Sequence, residues 1–164
     1  MDNVYTFHEI DEYSTSNSIH QLGNLIVDLD DFIDNIYFEK DLGYPSLFYM
    51  IQKKYKFYYI LKENHLIAVA YTLYTFENLE TNLYLQMITV NKKYRGYYIG
   101  FKLLDFIILQ NFKNASDIPN WFYLYSYTNL IDYYKKWHIP DYQKGNNLYY
   151  NKSSLMKYVY DISI

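Results

Sequence analysis

The chain has 164 residues, 51% of them hydrophobic and 20% charged, a globular composition with enough length for a single domain, 1–164, and a sizeable core. It contains no cysteine, which excludes disulfides, thiolate metal sites and a cysteine nucleophile, and a net charge of −3 argues against nucleic acid as a partner. No apolar run reaches membrane-spanning length and no signal-peptide pattern opens the chain, so a soluble cytoplasmic protein without a membrane partner is expected.

The 24 tyrosines and 10 phenylalanines carry little functional weight. Alanine and arginine are scarce in parallel, the signature of AT-rich coding. In chain order, residues 4–10 predict a short strand. Ser18 with Gln21 forms a candidate capping box, after which Ile19, Leu22, Ile26, Leu29, Ile33 and Ile36 recur at helical spacing. Gly23-Asn24 is a candidate bend. Asp28, Asp30, Asp31 and Asp34 read as a solvated face of this helix, or as an attraction for a cationic substrate. Gly43-Tyr44-Pro45 breaks the chain and Pro45 suits the first turn of a second helix reaching Tyr55.

Phe57–Leu61 and Leu66–Phe76 predict two strands joined by a turn at Glu63-Asn64-His65. Leu83–Val90 is apolar on both faces except at Gln86 and Thr89, as a central strand requires. A helix over Ile99–Phe112 buries Ile99, Leu103, Leu104, Ile107 and Ile108. Trp121–Tyr127 predicts a strand, followed by a helix capped by Thr128 or Asn129 and running to Trp137, before Pro140. The tail, Tyr142–Tyr160, predicts one or two closing strands around Gly145-Asn146.

Chemistry concentrates at the chain's single arginine. Arg95 opens Arg95-Gly96-Tyr97-Tyr98-Ile99-Gly100, between the central strand and the long helix, and the other 14 basic residues are lysines. A strand, a tight turn with exposed N–H groups and a helix N-terminus make an anion site. Neither a Gly-x-Gly-x-x-Gly turn nor a glycine loop ending in Lys-Ser/Thr is present. Lys92-Lys93 precede the turn, as an exposed bend or as attraction for a further phosphate. His8, His20, His65 and His138 show no metal-ligand spacing, and no metal is expected.

The stretch from Val90 through Arg95-Gly96-Tyr97-Tyr98-Ile99-Gly100 to Leu103-Leu104 resembles motif A of the GNAT superfamily of acetyl-CoA-dependent N-acetyltransferases, Arg/Gln-x-x-Gly-x-Gly/Ala. Tyr98 departs from it, standing where the family has glycine. Tyr134-Lys135-Lys136-Trp137-His138-Ile139 is similar to a second family segment, Tyr-Glu-Lys-x-Gly-Phe, with its glycine and phenylalanine replaced. The resemblance implies an α/β fold with a mixed, mostly antiparallel central sheet flanked by helices, in the order β-α-α-β-β-β-α-β-α-β-β. It implies that Ile88, Thr89 and Val90 pair with the pantetheine arm. Arg95, Gly96, Tyr97, Tyr98, Ile99 and Gly100 would hold the pyrophosphate, with Phe101 and Lys102 beside it. Asn129 would reach the pantetheine and Tyr134 would protonate the departing CoA thiolate.

The activity implied is acetyl transfer from acetyl-CoA to a small-molecule or peptide amine, by direct attack in a ternary complex. The general base stays open among Tyr84, Glu80, Gln86, His65, His138 and water. Two other readings remain: an acyl-CoA-binding or regulatory domain without turnover, suggested by Tyr98, and a single-strand nucleic-acid platform, disfavoured by charge. Sheet edges and the tyrosine-rich tail are candidate surfaces for a homodimer.

Overall fold

The computed structural model describes residues 4–27, 44–96 and 98–163. The elements in order are β1 (Tyr5–Ile10), α1 (Ser16–Val27), α2 (Tyr44–Gln52), β2 (Lys56–Lys62), β3 (His65–Glu77), β4 (Glu80–Val90), α3 (Ile99–Phe112), β5 (Trp121–Tyr125), α4 (Ile131–Trp137), β6 (Tyr142–Lys144), β7 (Asn147–Asn151) and α5 (Lys152–Ile162). The strands form one sheet in the order β1-β2-β3-β4-β5-β7-β6. β1 and β2, β5 and β7, and β6 and β7 pair antiparallel, whereas β4 and β5 run parallel. The sheet is mixed and mostly antiparallel, as expected.

Two tight turns drive the meander β2-β3-β4. Glu63-Asn64 has φ of 52° and 63°, and Asn78-Leu79 has 51° and 65°. Positive φ at both central residues is the hairpin geometry that matches strand twist. The β6–β7 hairpin turns at Gly145-Asn146, with Gly145 at φ 60° and Lys144 opposite Asn147.

The chain forms two compact units, residues 1–71 with 87–103, and residues 72–86 with 104–164. In the first, Leu22 and Leu47 of the helices and Phe57 and Val69 of the strands are fully buried in one apolar cluster. In the second, Ile107, Phe112, Phe122, Leu148 and Leu155 are buried.

Several expectations change. The cap of α1 is Thr15, not Ser18: Thr15 Oγ1 accepts the Ser18 N–H at 3.1 Å, because the helix begins three residues earlier. α2 stops at Gln52, and the strand predicted to Tyr127 ends at Tyr125. Neither Thr128 nor Asn129 caps α4; both lie in a 3-10 turn, Thr128–Leu130, and no side chain caps either segment. The closing strands end at Asn151, after which α5 replaces the predicted extended tail. Asn151 starts it by accepting the Ser154 N–H at 2.8 Å. The predicted helical positions Leu29, Ile33 and Ile36, the four aspartates and Gly43 lie outside the described residues.

Candidate cofactor site

In the first unit, β4 ends in a loop built from its own backbone. Asn91 N–H donates to the Ile67 carbonyl at 2.8 Å, holding the strand end to β3. The Asn91 side chain then accepts the Lys93 N–H at 3.0 Å, capping a 3-10 turn, Lys92–Tyr94. Arg95 follows in extended backbone and donates its Nε to the Val90 carbonyl at 3.0 Å. The guanidinium therefore ties the two ends of the loop together, and part of its donor set serves structure. Lys92, Lys93 and Arg95 are all exposed.

Gly96 has φ 89° and Tyr98 φ 58°, so the loop takes two left-handed residues before α3. An added Cβ at Gly96 meets nothing within 4 Å; glycine is needed there for its dihedral, not for space. Tyr98 adopts the left-handed geometry despite its side chain, at a cost of roughly 1–2 kcal/mol. Its ring is 67% exposed and lies 5.5 Å from the Phe101 ring. Tyrosine thus reproduces at this position the backbone sign that a glycine adopts freely. The Tyr98 carbonyl accepts the Lys102 N–H at 3.1 Å and starts α3. N–H groups of a first helical turn have no acceptor inside their helix, and they follow directly on the left-handed pair. Ile99 is buried and anchors the turn, whereas Lys102 is exposed. Ile88, Thr89 and Val90 are half-buried, and Tyr97 lies outside the described residues.

The parallel β4–β5 register runs from Asn82 opposite Trp121 to Leu85 opposite Leu124, while β4 itself continues to Val90. The described pairing with β5 thus stops before Ile88-Thr89-Val90.

In the second unit, Tyr134 is buried on α4, and burial together with the neighbouring Tyr133 pushes its hydroxyl pKa well above the usual phenol value. One turn on, Trp137 of the same helix enters a network. Trp137 Nε1 donates to Asp105 Oδ1 at 2.8 Å, and the Tyr158 hydroxyl donates to the same oxygen at 2.5 Å. The Trp137 ring meets Phe122, Tyr150 and Tyr158 edge-on, and the Tyr150 hydroxyl donates to the His138 carbonyl at 3.0 Å. Asn129 is exposed in the 3-10 turn before α4.

The base candidates are dispersed. Tyr84 stacks on Tyr123 at 4.7 Å; Glu80, Gln86 and His65 are exposed. His138 is half-buried, and desolvation lowers its pKa against the opposing influence of Asp141. No group of three metal-ligating side chains occurs among the described residues. Residues the sequence did not single out are Asn91, whose position before Lys-Lys is a readable turn cap, and the partners of Asp105, which are too far apart in the chain to be read.

No family model and no curated protein matches the chain. Solved structures do. AtaTR bound with AcCoA superposes with a TM-score of 0.71 at 12% identity, covering 94% of this chain and 97% of that one. The KacTA–DNA complex gives 0.67 at 14% identity, covering 96% and 99%. An aminoglycoside acetyltransferase from an uncultured soil metagenomic sample, in complex with trehalose, gives 0.62 at 14% identity, covering 87% and 92%. Element order, the mixed sheet and these superpositions agree on the architecture: this chain has the GNAT fold.

Proposed function

We propose that this protein transfers an acetyl group from acetyl-CoA to an amine, carried by a small molecule or a peptide. The observation that carries the reading is the left-handed Gly96/Tyr98 turn delivering the chain into the first turn of α3. Successive N–H groups in such a turn, with the positive end of a helix behind them, suit a diphosphate. The open space at Gly96 leaves room for close approach. The loop residues Arg95, Gly96, Tyr97, Tyr98, Ile99 and Gly100 would bind the diphosphate, with Phe101 and Lys102 flanking it. Ile88, Thr89 and Val90 would offer backbone groups to the pantetheine arm, and Asn129 a side-chain contact. When bound, acetyl-CoA supplies an acetyl group activated as a thioester. The neighbouring structures support this reading, since AtaTR was solved with AcCoA.

Tyr134 would act as the acid toward the leaving thiolate, a role that rests on the resemblance of its segment. Its raised pKa keeps the proton in place at neutral pH. The same desolvation makes the hydroxyl a reluctant donor, so the role is tested directly. Tyr134→Phe is expected to slow turnover about 10²-fold, the lower range for general acid assistance, with KM for acetyl-CoA little changed. The primary assay is release of CoA thiol from acetyl-CoA over a panel of polyamines, aminoglycosides and peptide amines. Release that depends on the amine supports transfer. Tight CoA binding with no release across the panel would instead identify an acyl-CoA-binding domain.

A further inference from the structure

Beside the loop of the first unit, two lysines from distant parts of the chain converge on one aromatic ring. Tyr5, at the start of β1, stands opposite Lys62, at the end of β2. Lys62 Nζ lies 5.7 Å from the Tyr5 ring centroid and 5.4 Å from that of Tyr94 in the 3-10 turn. Lys102 Nζ, from the first turn of α3, lies 4.8 Å from the same Tyr5 ring. All three separations are within the range where a cation is attracted to the ring face. Among the described residues no carboxylate pairs with Lys62 or Lys102, whereas Lys54 and Lys56 are paired with Glu12 and Glu9.

Two ammonium groups held at one ring concentrate positive charge there. The ring engages each ammonium from one side, and an ammonium has three N–H donors, so donors remain for a ligand. Lys92, Lys93 and Arg95 add positive charge in the adjoining loop. The site is also of the right kind for a compact dianion: point charges on flexible stems suit a phosphomonoester, while the backbone turn next to it suits a diphosphate.

We propose that Lys62 and Lys102, held on Tyr5 and Tyr94, form a second anion site that takes a phosphomonoester, the 3′-phosphate of a coenzyme whose diphosphate occupies the adjoining turn. This rests on the proposed CoA reading and adds to it: the lysine pair, more than Lys92-Lys93, distinguishes CoA from dephospho-CoA. Lys62 lies outside the loop and outside the segment that resembles motif A.

The test is calorimetric titration of the full chain with CoA, dephospho-CoA and adenosine 3′,5′-bisphosphate, comparing wild type with Lys62→Gln, Lys102→Gln and, as a control in the turn just past the end of α3, Lys113→Gln. Exposed charge pairs contribute modestly, so wild type is expected to prefer CoA over dephospho-CoA by about tenfold. Lys62→Gln is expected to cut that preference about threefold while leaving dephospho-CoA affinity within about twofold, whereas Lys102→Gln, beside the diphosphate as well, should weaken both ligands and CoA the more. Adenosine 3′,5′-bisphosphate binding should weaken in the same two variants, and Lys113→Gln should change nothing. The preference should also shrink as salt is raised. Equal affinity of wild type for CoA and dephospho-CoA, or variants that weaken both ligands alike, overturns the lysine site and leaves the proposed function standing. Failure of both coenzymes to bind wild type overturns the proposed function and this site with it.

Discussion

The loop that follows β4 and the helix that follows β5 hold their candidate groups by opposite means. In the first, consecutive residues do the work: a capping asparagine, a guanidinium returned to the Val90 carbonyl, and two left-handed dihedrals. In the second, α4 is seven residues long, has no side-chain cap, and is secured by rings and one carboxylate drawn from α3, β5, β7 and α5. A short helix has little stability of its own, so its position depends on tertiary packing. The loop can therefore be altered with small effects on stability and large effects on binding, and α4 with the reverse.

The largest effect should come from α4. Trp137→Ala removes the bond to Asp105 and the contacts with Phe122, Tyr150 and Tyr158, and is expected to cost about 3–5 kcal/mol in urea unfolding. A loss below about 1 kcal/mol would show that the network is not what holds the helix. Next comes Arg95→Ala. It should lower CoA affinity about tenfold or more by calorimetry, because charge-assisted contacts are worth roughly 1.5–3 kcal/mol, while the urea midpoint barely moves. A large stability loss with unchanged affinity would reverse the contrast.

Smaller effects separate the two left-handed loop residues. Gly96→Ala is expected to destabilise by about 1 kcal/mol through its dihedral alone, since the space beside it is open. Tyr98→Gly relieves strain but loosens the unfolded chain and loses the Phe101 contact. A net gain of about 0.5 kcal/mol is expected, with CoA affinity retained.

The smallest effect is shared by both compact units. His8, stacked on Tyr59 at 4.9 Å, and His138, against Tyr150 and Tyr158, both have pKa values lowered by desolvation. Each binds its proton more weakly in the folded state than in the unfolded one. Stability should therefore fall as pH drops below the ordinary histidine value of 6.5, down to the depressed folded values, and be flat with respect to these groups above it. Urea midpoints of His8→Gln and His138→Gln should each show a shallower acid decline than wild type; an unchanged decline in both would remove these groups as its cause.

The β4–loop–α3 segment was legible because its signals are local. An apolar run of strand length, a glycine-flanked arginine and apolar positions at helical spacing all lie between Leu83 and Phe112. α3 occurs over the predicted span, with each predicted core position buried. The last part of the tail, α5, was not legible. Leu155 and Val159 are the buried residues of α5, and Met156, Tyr158 and Tyr160 fit an alternating pattern as well as a helical one. Only the capping Asn151 distinguished the two, and caps carry less weight than periodicity over so short a segment.

Sequence by itself determined the turn between β4 and α3, since a dihedral requirement, an unpaired helix end and a lone arginine are properties of adjacent residues. Tertiary structure alone decided that the Asn91 N–H would reach the Ile67 carbonyl and that Asp105 would join Trp137 to Tyr158. It alone brought Lys62 and Lys102 to one ring. The physical reason is range: backbone preference acts over a few residues, whereas hydrogen bonds and ring contacts between distant segments exist only after the chain has closed on itself.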